Sequence, residues 1–179
     1  MAGGYMLFDD NGSILMAAGP GGHSMRPGGT LEVNTTAVGN VGTGEDDLMS
    51  FVLLGNTLNN VGDHIDFNSS GTIGASVLTN KRIRIYVGSV NIFDSTSLLL
   101  SLAGNWSIEG RIIKHSSTQI KANCVATYSG NLSLSPATIS TPETTLDLTA
   151  NQTIRWTGTA TNNNDVVQSS MVLRWFPDN

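Results

Sequence analysis

Between Arg82 and Val87 polar and apolar residues alternate without a break, Arg82, Arg84 and Tyr86 on one side and Ile83, Ile85 and Val87 on the other. A period of two is the signature of a strand with one dry face. The same period recurs. Trp106, Ile108, Gly110 and Ile112 alternate with Ser107, Glu109 and Arg111, and Ile154 and Trp156 alternate with Thr153, Arg155 and Thr157. Ile120, Ala122, Cys124 and Ala126 give another strand an inward set of small residues, with Cys124 as a small buried hydrophobe. Helix periodicity is absent. Composition agrees, because Ser, Thr and Asn supply 55 of the 179 residues and Lys, Arg, Asp and Glu only 23. Ser, Thr and Asn compete with a helical backbone for its hydrogen bonds and suit turns and strand surfaces. The chain is therefore expected to be all-β, with strands over 30–38, 48–54, 64–67, 73–78, 81–87, 97–102, 106–114, 119–128, 144–148, 153–159 and 166–176 separated by turn residues, as in a sandwich or barrel.

The N-terminal fifth is different material. Eleven of the 20 Gly precede residue 45, and Pro20-Gly21-Gly22 and Pro27-Gly28-Gly29 punctuate the same stretch. Gly loses the most backbone freedom on ordering, so this segment needs a partner to become ordered. Within it, Tyr5, Leu7 and Phe8, then Asp10-Asn11-Gly12, then Ile14, Leu15 and Met16 read as a hairpin, Asn-Gly supplying the positive φ of a tight turn. A lone hairpin is marginal in water and must pack on something. The organisation expected is an arm over 1–33, which packs those six apolar residues on the body of this protein or on a neighbour, and a body over 34–179.

The net charge of −5 argues against a grip on nucleic acid or an anionic membrane, both of which need clustered cations. Lys81, Arg82 and Arg84 are the densest basic group and read as solvated outward charges on a strand. The N-terminus lacks the basic start of a signal peptide, and the apolar runs 48–54 and 98–103 are far too short for a membrane span. One Cys forms no internal bridge, and His23, His64 and His115 share no metal-ligand spacing. Glu45-Asp46-Asp47, Asp9-Asp10-Asn11 and Asn162-Asn163-Asn164-Asp165 lack the alternation of a dedicated calcium loop and read as strand-entry and turn chemistry. Glu109, Glu143, Asp147 and Asp165 can be paired on paper as glycosidase carboxylates, but any chain with 14 acids allows that. Without a nucleophile elbow or a phosphate loop, no enzyme and no cofactor are expected. Trp106, Trp156, Trp175 and Tyr128 suit either core packing or sugar stacking, with Trp106 and Trp156 sharing faces with Ile. On the last strand Val167, Met171, Leu173 and Trp175 alternate with Val166, Val172 and Phe176, so both faces are apolar. The second face is expected to be covered by another subunit.

The order of segments resembles bacteriophage virion proteins of the single jelly-roll kind, found as capsid decoration (cement) proteins and as heads of head or tail fibres. The residues concerned are 41–49, Arg84-Ile85-Tyr86-Val87-Gly88 followed by Phe93-Asp94, then Gly104-Asn105-Trp106-Ser107-Ile108-Glu109, and the ending 157–161, 164–168 and Leu173-Arg174-Trp175. The resemblance covers about three quarters of the chain, from Asn40 to Trp175, and lies in order and spacing; the arm falls outside it. It implies a single jelly-roll β-sandwich, a homotrimer, no catalytic residues, and a place in the virion after assembly in the bacterial host cytoplasm; the apolar second face of the last strand, Val166, Val172 and Phe176, is then the expected subunit contact. The partners expected are further copies of the chain and the major capsid protein or another virion protein. Decoration is favoured because no shaft, heptad or fibrous repeat is present to project a receptor-binding tip. The alternative is a head- or tail-fibre module that recognises a host surface glycan.

Overall fold

The computed structural model describes residues 5–8, 14–18, 24–25, 28–76, 80–96, 103–129 and 137–178; for the first three of these stretches and for 137–143 only the backbone is considered. The strands are β1 (Tyr5–Phe8), β2 (Ile14–Ala18), β3 (Ser24–Met25), β4 (Gly29–Asn34), β5 (Val38–Gly39), β6 (Gly44–Leu53), β7 (His64–Ile73), β8 (Arg82–Val87), β9 (Val90–Asp94), β10 (Gly104–Lys114), β11 (Gln119–Ser129), β12 (Ala137–Thr145), β13 (Gln152–Ala160) and β14 (Val166–Phe176). Among the described residues there is no helix. The protein is all-β, and its body is a sandwich of two antiparallel sheets. The larger has the order β12-β11-β10-β7-β14-β4, with β5 also on β14, and the smaller has the order β6-β13-β8-β9. A separate sheet, β1-β2-β3, holds the N-terminal hairpin, with Tyr5 opposite Ala18 and Leu7 opposite Met16.

The alternating strands bury the faces their sequence assigns to the core. Ile83, Ile85, Trp106, Ile108, Ile112, Ile120, Ala122, Cys124, Ala126, Ile154 and Trp156 are all buried. Two contacts tie the layers. The Trp156 ring on β13 meets the Phe67 ring on β7 edge-on, with centroids 5.5 Å apart, and its Nε1 donates to Ser69 Oγ at 2.9 Å. Ser69 Oγ in turn donates to the Ile108 carbonyl, so no polar atom of this buried group is stranded. Glycine is required at Gly71, where an added Cβ would sit 1.8 Å from the Val167 carbonyl oxygen and 2.7 Å from the Trp106 ring. Burial pushes the Cys124 thiol up to about 12, which keeps it a neutral, unreactive packing group. At one end of the sandwich, fully buried Asp63 accepts the N–H groups of Asn59, Asn60 and Asp178, fixing the loop after β6 to the C-terminal segment.

Several expectations are corrected. The arm ends before residue 33, because β4 pairs with β14 from Gly29 to Asn34 and belongs to the larger sheet. The strands expected at 64–67 and 73–78 are one strand to Ile73, whose middle, Ser69-Ser70-Gly71, looks like a turn only until its partners on both sides are known. β9 was not expected; Gly88, at φ +58°, turns the chain straight back from β8 into it. The expected strand 97–102 lies outside the described residues. Lys81 is fully buried, its Nζ donating to the Ser76 carbonyl at 2.6 Å, so it is no solvated charge. Val166 is in the core as well. A bulge at Ser169 reverses the parity of β14, so Val166 and Gln168 point inward with Met171 and Leu173, while Val167 and Val172 lie on the outer face.

Candidate interaction surface

The outer face of the four-stranded sheet closes on itself. Glu45 accepts from Arg84 Nη1 at 2.5 Å, from the Tyr86 hydroxyl at 2.9 Å and from Thr157 Oγ1 at 2.6 Å. Asp94 takes both Arg82 and Arg84, and Arg155 pairs with Asp47 at 3.0 Å while lying over the Tyr86 ring. Thr157 points outward, as its alternation implies, but this layer covers it to 1 % exposure. Burial works to raise the Glu45 carboxyl, yet the hydrogen bonds from Thr157, Tyr86 and Arg84 and the Arg84 charge outweigh it and hold the group below its ordinary value. Asp94 is likewise held low against its burial by Arg82, by the Thr96 N–H and by Arg84. A carboxylate with a depressed folded pKa stabilises the fold above its unfolded pKa and loses that contribution as pH falls through the folded value. Thermal stability should therefore be flat from about pH 7 to about pH 5 and decline below about pH 4. Glu45→Gln, which lowers stability at neutral pH, should make that decline shallower in a melting series across pH.

The outer face of the seven-stranded sheet is built differently. Its cross-strand rows follow from the register: Val33, Val172, Asn68, Glu109 and Val125 form one, and Arg174, Asp66, Arg111 and Asn123 the next. Arg111 grips Asp66 through two hydrogen bonds of 2.5 and 2.7 Å, and these bonds, with the Arg111 charge, hold the Asp66 carboxyl low despite its partial burial. Asn68 Nδ2 donates to Glu109 Oε1 at 2.9 Å. Between these side chains, Val172 and Arg174 lies an open cleft of about 780 Å³. A smaller depression of about 370 Å³ lies further along the face among Ser70, Thr72, Asn105, Ser107, Thr127 and Ser129, floored by Gly71 and the edge of Trp106. At the far end Phe176 stacks on His64 with ring centroids 5.2 Å apart.

Of the three residues expected at a subunit contact, Val172 and Phe176 share this outer face and Val166 does not. Tyr5, Leu7, Phe8, Ile14, Leu15 and Met16 fall in β1 and β2, and their side chains lie outside the described residues, as do His23 and the side chain of Glu143. Among the described side chains the paper pairings of carboxylates are not assembled: Asp165 accepts from Ser76 and Asn162, Asp147 from Thr149, and Glu109 from Asn68. Trp106 and Trp156 are buried in the core and unavailable for stacking on a sugar. Among the described residues no three His, Cys, Asp or Glu side chains are grouped to hold a metal ion, and no helix is long and apolar enough to cross a membrane. Exposed Val33 and Val125 and the isolated Arg174 were not singled out from sequence, because only strand pairing sets them around one cleft. The chain matches no protein-family model, no curated protein and no solved structure.

Proposed function

We propose that the chain is a non-enzymatic structural protein of a bacteriophage virion, a homotrimeric capsid decoration protein whose body is a single jelly roll and whose N-terminal arm binds the capsid lattice. The observation that carries this is the strand order. Setting aside the two-residue β5 and the β11–β12 hairpin, and counting the remaining body strands β4, β6, β7, β8, β9, β10, β13 and β14 as one to eight, the first pairs with the last, the second with the seventh, the third with the sixth and the fourth with the fifth. The two sheets then run one-eight-three-six and two-seven-four-five, an order that supports reading the body as a long antiparallel hairpin rolled on itself, the plan of viral-capsid and lectin jelly rolls. The β11–β12 hairpin extends one edge.

The arm supports the decoration role. It precedes β4, carries much of the chain's Gly, and forms a three-stranded sheet that among the described residues has no ladder to either body sheet. Three arms on one trimer would act together through effective concentration, giving lasting attachment from modest single contacts. The second reading, a fibre module that binds a host glycan, is favoured by the hydroxyl- and amide-lined depression around Ser70, Asn105, Ser107 and Thr127, whose neutral donors and acceptors suit sugar hydroxyls.

Deleting residues 1–28 separates the two. The truncated protein should remain folded and trimeric yet leave capsids bare in electron cryomicroscopy, whereas the intact chain should decorate them and raise their resistance to heat. If capsids never carry the intact protein and the truncated body competes with phage for adsorption to host cells, the fibre reading replaces the decoration reading.

A further inference from the structure

The two outer faces differ in how far they satisfy themselves. On the four-stranded sheet Arg82, Arg84 and Arg155 each hold a carboxylate of the same face. On the seven-stranded sheet the centre cancels, Arg111 against Asp66. The β4–β14 half presents Arg174, which has no hydrogen bond or ion pair among the described residues, beside Val172 and Val33, the latter 58 % exposed. The β10–β11 half presents Glu109, with one oxygen taken by Asn68, beside Val125, which is 44 % exposed. Strand β7 lies between the halves and the two residues sit one row apart, which places the backbones of Arg174 and Glu109 about 12 Å apart. Each half thus offers an apolar patch with one unmet charge, and the two charges are opposite.

We propose that this face is the contact between copies of the chain, with the β4–β14 half of one protomer seated on the β10–β11 half of the next and Arg174 of one meeting Glu109 of the other. The occupant is a second copy because the two halves are complementary to each other: the exposed valines of one meet those of the other, and the guanidinium meets the carboxylate. The proposal rests on the self-associating assembly proposed above and names the surface that builds it.

Charge exchange in the full-length protein, read by sedimentation velocity, tests it. Arg174→Glu and Glu109→Arg should each raise the dissociation constant of the assembly about a hundredfold, since each sets like charges opposite one another. The double variant should recover to within about tenfold of the parent, because the pair is rebuilt in reverse. Asn91→Arg, at an exposed position on the opposite sheet, should change nothing. Both exchanged side chains are exposed, so circular dichroism should show the parent fold, and recovery in the double variant excludes misfolding as the cause of dissociation. A monomeric parent, single variants that assemble like the parent, a double variant no better than the singles, or Asn91→Arg disrupting assembly equally would each overturn the proposal. A parent dimer obeying the charge exchange would uphold the contact and overturn the trimer, while bare capsids would overturn the decoration reading and leave this contact standing.

Discussion

Trp156→Ala should remove about 3–5 kcal/mol of stability, the loss typical of truncating a fully buried large aromatic. Trp156 lies at the centre of the interface between the sheets, with 0 % of its surface exposed. Three things go at once: the packing of the indole, its edge-on contact with Phe67, and the donor to Ser69 Oγ. Trp156→Phe separates them. It keeps most of the volume and the aromatic contact, and Ser69 can still donate to Ile108, so the loss should fall to about 1–2 kcal/mol. Urea unfolding followed by circular dichroism reads both as a shift in midpoint at constant slope. If the alanine variant lost less than about 1 kcal/mol, the two layers would not be held together through this ring.

The second large effect is expected at Asn40, a loop residue with no apolar character and no exposed surface. Its Oδ1 accepts the Val166 N–H at 2.9 Å, and its Nδ2 donates to the carbonyls of Asn162 at 2.9 Å and Gly42 at 3.2 Å. Backbone bonds from Asn40 to Val166 and from Asn164 to Asn40 flank them. One amide therefore stitches the entry to β6 onto the turn that starts β14. Asn40→Ala keeps the backbone bonds but strands the buried Val166 N–H and leaves the Asn162 carbonyl with only the 3.4 Å bond from the Asp165 N–H, at about 2–4 kcal/mol in all. Asn40→Asp retains the acceptor and sets a carboxylate against two carbonyl oxygens, so it should not rescue. Hydrogen exchange at the Val166 amide should quicken in both variants; unchanged protection in the alanine variant would contradict the stitch.

What the sequence disclosed followed local periodicity. Arg82 to Val87 alternates cleanly, and that strand and its dry face are where the pattern puts them. The pattern failed where tertiary partners override it. Ser69 and Gly71 look like punctuation, yet one is the acceptor for Trp156 and the other the only residue that fits against Trp106. A single extra residue, Ser169, reverses the faces of β14, and no periodicity analysis of an uninterrupted strand can anticipate a bulge set by its neighbours. Thr157 faces outward as its alternation says, but whether an outward threonine meets water depends on Glu45, 112 positions away in the chain. The interaction face suffered most. Val33, Asn68, Glu109, Val125 and Arg174 come from five different strands, and nothing short of the pairing register gathers them.

The position of β14 governs when the molecule can come together. Among the described residues β4 has its only ladder with β14, and β14 lies between β7 and β4, one strand in from that edge of the larger sheet. Emerging from the ribosome, a chain can close β8 on β9 and β10 on β11 early, because those turns are short and local contacts form first. The strand that follows the arm has nowhere to dock until residues up to Phe176 have been made. A chain not yet made through Phe176 thus leaves β4 without its partner, so the N-terminal edge of the larger sheet closes only after β14 has been synthesised.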